Sequence, residues 1–132
     1  MAFFLTELNA RLKDDESIWV LKSPLIYVSD ILPDGPKRIV VPSGFETDFA
    51  SVPRLPLFYW LFGDRAHRES VLHDYLYRRD SVPQATYEQA NAVFLEAMAL
   101  RGKPVYVRYP MWWGVCLGGR MAFHQRKVGD RL

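Results

Sequence analysis

Three prolines within fifteen residues, Pro42, Pro53 and Pro56, set the firmest limit on how this chain folds. Proline has no amide hydrogen and a fixed φ, so the stretch from Pro42 to Pro56 is denied a regular helix or a central strand. The same stretch holds Phe45, Phe49 and Val52, apolar side chains that should pin it to a core. A loop anchored in this way is the kind of segment that builds sites. Thr47, Asp48 and Ser51 are its polar candidates; on the plainer alternative they only cap backbone groups.

The loop, taken as residues 42–63, splits a single domain of 132 residues into a β-rich part, 1–41, and a helical part, 64–127. Before it, Met1 to Asp15 reads as strand plus turn. Ile18 to Leu21 and Leu25 to Val28 are β-rich runs around Lys22-Ser23-Pro24. They form either a hairpin or one long strand bent at Pro24. Pro33-Asp34-Gly35-Pro36 is a turn signal leading into the strand Arg38-Ile39-Val40-Val41. The first forty residues are therefore expected to make a small antiparallel sheet.

After the loop, Gly63-Asp64 opens a helix that reaches Arg79, with Asp64 as N-cap and Arg78-Arg79 at the negative end of its dipole. Val71, Leu72, Tyr75 and Leu76 share its apolar side. Ala66, Ser70, His73 and Tyr77 lie opposite, with Asp74 at the edge. That polar side is either half of a site or an ordinary outer surface. Ser81-Val82-Pro83-Gln84 looks like the capped start of a second helix ending at Arg101 before Gly102. The short connection makes the two helices antiparallel neighbours. Tyr87, Ala90, Asn91, Phe94, Met98 and Arg101 fall on one face of the second. Asn91 is the odd polar member, and it is either placed to meet His73 or bonded only to backbone. Val105 to Lys127 reads as a third helix, bent or begun at Pro110, with Gly114 and Gly118 allowing close packing. The fold class is α+β: sheet, proline-bounded loop, two antiparallel helices and a C-terminal helix.

Composition removes several alternatives. The lone cysteine, Cys116, excludes an internal disulfide and a zinc ribbon and reads as a small buried residue. Arg108, Pro110 and Arg120 break the longest apolar stretch, so no transmembrane segment is expected. Met1 to Leu12 lacks the pattern of a secretory signal. Net charge is +2, yet residues 101–132 carry seven basic side chains against one acidic. Such a basic third can meet an anionic surface. No zinc finger, helix-turn-helix or stacking platform supports nucleic-acid binding. Aromatic residues, 14% of the chain, crowd Phe58 to Trp60 and Tyr106 to Trp113, as in an aromatic core or contact surface.

His73 has the side chain best suited to proton transfer near neutrality. Asp74 points about 100° away on the same turn, better placed to hold a metal or a loop than to orient the histidine. Asn91 could fix the tautomer. Asp48 and Asp74 together would make an oxygen-rich site suited to calcium or another divalent cation. Ser51 lacks the setting of a nucleophile.

Two resemblances follow. Val41-Pro42-x-Gly44-Phe45-x-Thr47-Asp48-x-Ala50-Ser51-Val52-Pro53-Arg54, then His73-Asp74-Tyr75-Leu76-Tyr77, then Ala90-Asn91-x-x-Phe94-x-x-Ala97-Met98, resembles a family catalogued as a domain of unknown function, number thirteen fifty-three. The likeness runs from about Ser17 to Gly119. It implies a bacteriophage or prophage protein without an assigned activity, and a family that more often has Asp where this chain has Asn91. More locally, His73-Asp74-x-x-Tyr77 is similar to calcium-dependent secreted phospholipases. That likeness implies His73 as base, Asp74 as calcium ligand and Asn91 in place of an orienting Asp.

Two functional expectations result. The first is a virion or assembly component, tail-associated, that binds other phage structural proteins and resides in the host cytoplasm during assembly or in the virion. The His/Asp cluster is then structural. The alternative is a metal-assisted hydrolase of lipid or cell-envelope ester or amide bonds, with His73 as general base, Asn91 and Tyr77 beside it, and Asp48 with Asp74 holding the cation.

Overall fold

A computed structural model describes residues 2–12, 18–32, 37–47, 67–100, 102, 105–118, 123 and 128–129. Six short strands come first: β1 (Phe3–Phe4), β2 (Ala10–Leu12), β3 (Trp19–Leu21), β4 (Leu25–Ser29), β5 (Lys37–Val41) and β6 (Glu46–Thr47). Three helices follow: α1 (His67–Leu76), α2 (Tyr87–Leu100) and α3 (Val105–Gly118). The α+β class and the order of sheet before helices are as expected.

The β-rich part is two three-stranded antiparallel sheets rather than one, ordered β1-β4-β5 and β2-β3-β6. The hairpin alternative for Trp19 to Ser29 fails, because β3 and β4 belong to different sheets. β3 pairs Leu21 with Ala10 on one side and Trp19 with Thr47 on the other. β4 pairs Phe4 with Tyr27 and Ile39 with Tyr27 across its two edges. The chain bends between them at Lys22–Pro24, where Thr6 Oγ accepts the Ile26 amide at 3.0 Å and donates to the Pro24 carbonyl at 3.3 Å. Period-two alternation sorts the faces. Leu25, Tyr27, Ile39 and Val41 are fully buried on one side.

The start of the proline-bounded stretch is a turn. Gly44 has φ +83°, a conformation that costs a side-chain-bearing residue strain, and its amide reaches the Leu21 carbonyl at 2.7 Å. Phe45 is buried as expected. The short β6 that follows is an edge strand, the position open to a stretch excluded from central strands. Phe49 and Val52, like the turn expected at 33–36 and the N-cap expected at Asp64, lie outside the described residues.

Helix α1 ends at Leu76, short of Arg79. Its last turn tightens, with the Arg78 amide on the Tyr75 carbonyl at 3.0 Å. α2 starts later than Ser81. The working cap is Thr86: its hydroxyl accepts the Gln89 amide at 3.1 Å, while Gln89 Oε1 accepts the Thr86 amide at 2.9 Å. Gln84 instead closes the preceding turn, donating to the Arg79 and Ser81 carbonyls at 2.8 Å each. The Tyr75 hydroxyl clips the same connection through the Val82 amide and carbonyl. Gly102, with φ +79°, ends α2. α3 carries Pro110 inside it, and Phe123 lies in a turn, so the expected run to Lys127 is not one helix. The bond that Pro110 cannot make would go to Tyr106, which is 72% exposed and open to water.

The main core joins Leu25, Tyr27, Ile39, Val41 and Phe45 to Val71, Leu72, Tyr75, Leu76, Ala90, Val93 and Ala97. A second cluster, Phe94, Met98, Met111 and Val115, seals α2 to α3. α1 is buried on both sides: Val71, Leu72 and Leu76 are 0% exposed, but so is Ser70, and His73 is 1% exposed. The outer-surface alternative for the His73 side is therefore wrong.

Candidate functional site

Tertiary packing brings four polar side chains to one point between α1, α2 and α3. His73 on α1 and Tyr77, the residue just past its end, are one turn apart, so their side chains stack, with ring centroids 4.1 Å apart. Asn91 on α2 faces both. Its Oδ1 lies 2.6 Å from His73 Nε2 and accepts the Tyr77 hydroxyl at 2.7 Å. Its Nδ2 donates to Cys116 Sγ on α3 at 3.6 Å. Pairing of 73 with 91 and 94, and of 77 with 87 and 91, makes the two helices antiparallel.

The network decides the tautomer. Asn91 Oδ1 carries no proton, so His73 Nε2 must donate, and the lone pair of a neutral ring resides on Nδ1. Burial lowers the His73 pKa from 6.5 to about 4, only partly offset by the bond to Asn91, so the ring is neutral at pH 7. Burial, with Tyr87 beside it, pushes Tyr77 above the ordinary phenol range, which keeps its hydroxyl a donor. Burial also raises the Cys116 thiol. Every member thus stays uncharged near neutrality.

Aromatic rings wall the cluster. Phe94 lies 5.0 Å from the His73 ring, and Tyr77, Tyr87 and Phe123 meet with centroids 5.3–6.1 Å apart. The Tyr87 hydroxyl donates to the Cys116 carbonyl, a second tie between α2 and α3.

Asp74 is separate from this group. It pairs with Arg78 at 3.3 Å, and the same Arg78 nitrogen, Nη2, reaches the Glu46 carbonyl of β6 at 3.2 Å. The guanidinium also sits 5.0 Å from the Phe45 ring centroid and is 2% exposed. Arg78 is therefore not a surface charge on a helix end; it turns inward and ties α1 to β6. Thr47 is buried in β6 beside Trp19. Asp48 and Ser51 lie outside the described residues. Among the described residues, no three His, Cys, Asp or Glu side chains are grouped to hold a metal ion.

Of the two alternatives for Asn91, the one that sets it against His73 is present, with Tyr77 on the same oxygen, and Asp74 joins a different contact. Three participants escaped sequence reasoning. Cys116 reads from sequence as a small buried residue; it is only partly buried, and nothing in its spacing marks it as an acceptor. Tyr87 sits one turn before Asn91 on the same helix face, a spacing that could have flagged it. Arg78 stands four residues after Asp74, the pairing distance on a helix.

Chemically, the cluster is a histidine held in one tautomer by an amide. A base whose conjugate acid has a pKa near 4 is unprotonated at neutral pH but a weak proton acceptor, since efficient bases titrate near the working pH.

No curated protein and no solved structure matches the chain. A family model does match, over residues 19–115, a span that contains every described member of the site before Cys116. The chain therefore belongs to the family described as "Protein of unknown function (DUF1353)".

Proposed function

We propose that this protein is a phage- or prophage-encoded virion or assembly component, tail-associated, that acts by binding other structural proteins of the particle. On this reading the His73–Asn91–Tyr77 cluster is an internal lock that holds α1, α2 and α3 in register. The burial of the cluster carries the argument: His73 is 1%, Asn91 2% and Tyr77 6% exposed. A neutral, enclosed hydrogen-bond network stabilises one arrangement of helices, since each donor or acceptor left alone inside would cost about 1–3 kcal/mol. The binding face is then the aromatic side of α3. The protein would sit in the host cytoplasm during assembly and afterwards in the particle.

The test is mass spectrometry of purified particles with unfolding of variants in parallel. The protein is expected in the particle, and His73→Ala is expected to melt earlier and to be incorporated less. Absence of the protein from particles would end this reading.

One observation favours a second reading, a metal-assisted hydrolase of lipid or cell-envelope ester or amide bonds. Asn91 Oδ1 accepts the hydrogen bond of the His73 Nε2–H, so the lone pair is on Nδ1, as a general base requires. Asp74 follows His73 directly but is held by Arg78, and the described residues do not assemble a cation site. This reading therefore rests on His73. Asn91→Asp would set a carboxylate beside the ring and raise its basicity. Ester or amide turnover that rises in Asn91→Asp with added calcium, and vanishes in a folded His73→Ala, would establish it. No turnover in either the parent or Asn91→Asp would dispose of it.

A further inference from the structure

β5 is the outer strand of the sheet β1-β4-β5 and, at five residues, the longest edge strand among the described residues. Along an antiparallel strand each residue points its N–H and C=O to the same side, and successive residues alternate. The Leu5 amide donates to the Ile26 carbonyl at 2.8 Å, so Ile26 and Val28 of β4 face β1. Leu25, Tyr27 and Ser29 therefore face β5, opposite Val41, Ile39 and Lys37. Arg38 and Val40 remain, with their N–H and C=O groups pointing away from the sheet. Neither has a further hydrogen bond among the described residues, and both are exposed, Val40 at 39%. The open edge ends at Pro42, which has no N–H and whose carbonyl accepts the Phe45 amide at 3.3 Å.

We infer that this edge of β5 takes an added antiparallel strand from a partner protein, with an acidic residue opposite Arg38 and an apolar one opposite Val40. In the partner's sequence these stand in the order apolar-x-acidic. The contact is separate from α3, and the inference goes beyond the reading of the protein as a particle component, since it needs only the geometry of the sheet.

Four outward backbone groups at ladder spacing match another extended backbone. The side chains select which one. Strand register sets Arg38 in a row with Val28 and Phe3, and Val40 in a row with Ile26 and Leu5, on the outward face of the sheet. Phe3 and Leu5 are 43% and 46% exposed, so this face is apolar up to Arg38. An added strand lengthens each row by one side chain. Beside Val40 an apolar group continues the row; beside Arg38 a carboxylate does so, because opposite charges across a strand pair stabilise it. Lys37 adds a second positive charge at the same end, and β5 has no acidic residue. A second copy of the chain fits less well for that reason. Two β5 strands paired about Ile39 would bring together two cations from each and no carboxylate, and edge cations of this kind oppose self-pairing.

The test is an NMR titration of the isotopically labelled full chain with two probe peptides, Thr-Thr-Val-Thr-Glu-Thr-Thr and the same peptide with Lys in place of Glu. The Glu peptide is expected to slow hydrogen exchange at the Arg38 and Val40 amides and to leave Ile39 and Val41, already bonded to β4, unchanged. Arg38→Glu is expected to weaken the Glu peptide about fivefold and to turn the preference toward the Lys peptide. Val40→Pro deletes only an outward amide, and is expected to weaken binding about tenfold while the thermal midpoint is kept. Protection spread evenly over Arg38 to Val41, or no protection at all, would overturn the inference. So would equal affinity of the parent for both peptides, or a parent dimer that Val40→Pro separates. Should Val40→Pro fail to fold, the exposed Arg38→Glu still decides: an unreversed preference sinks the inference.

Discussion

Two polar clusters anchor α2, and they work in opposite ways. Toward the sheet, the half-buried Glu96 carboxylate accepts the Tyr27 and Ser29 hydroxyls at 2.8 Å each and the Asp30 amide at 3.2 Å. Toward α1, the fully buried Asn91 amide accepts His73 and Tyr77 and donates to Cys116. The first cluster uses a charge, placed where water still reaches part of it. The second is neutral throughout, with His73, Asn91 and Tyr77 buried among rings and Cys116 half-buried at its edge. A charge in the second position would carry the desolvation penalty of the interior. An amide in the first would lose one acceptor oxygen. Each chemistry suits its depth, and the comparison predicts how each cluster fails.

The largest effect should come from the closed cluster. Asn91→Leu strands the His73 N–H and the Tyr77 O–H together, and a loss of about 4 kcal/mol in denaturant unfolding is expected from two buried unpaired groups. A loss under 1 kcal/mol would mean that water enters and the cluster is not closed.

Acid should separate the two clusters next. His73 titrates at about 4 when folded against 6.5 unfolded, so the unfolded chain takes up the proton first as pH falls. Its contribution is complete above pH 6.5 and is lost between pH 6.5 and about 4, up to about 3 kcal/mol. His73→Phe should lack that limb of the stability–pH curve while keeping the carboxylate losses common to both. If parent and variant fall in parallel from pH 6.5 to 4, the buried neutral histidine is refuted.

Glu96→Gln should cost less, about 1–2 kcal/mol, because one carbonyl oxygen still serves part of the donor set. A loss as large as that of Asn91→Leu would show the Glu96 cluster to be as dry as the other. The smallest change is Thr86→Ala, expected to remove about 1 kcal/mol by uncapping α2, the helix that carries both clusters. Hydrogen exchange should then speed up in the first turn, near Gln89, and not at Glu96.

Much of this was legible from residue spacing. Pro42 marked the end of β5, and the helical periodicity through His73 put it and Tyr77 on one side. Asn91 was conspicuous as an amide in an apolar stripe, which made His73 a reasonable partner. The errors share a cause: each concerned which of two local solutions the distant chain would support. Ser81–Gln84 and Thr86–Gln89 both spell a capping box, and the connection clipped by Tyr75 left the first as a turn. Trp19 to Ser29 could pair with itself, but each half found a better partner elsewhere.

Local sequence alone therefore determined the α+β order, the helix periods and the polar side of α1, because dihedral preferences and apolar spacing act over a few residues. Tertiary structure decided that this polar side is interior, that Cys116 completes it, and that Arg78 turns inward toward β6. Those outcomes depend on desolvation, which a side chain acquires only from neighbours far away in sequence. The neutrality of His73 is the clearest case: the residue is ordinary as written, and burial by three helices sets its charge.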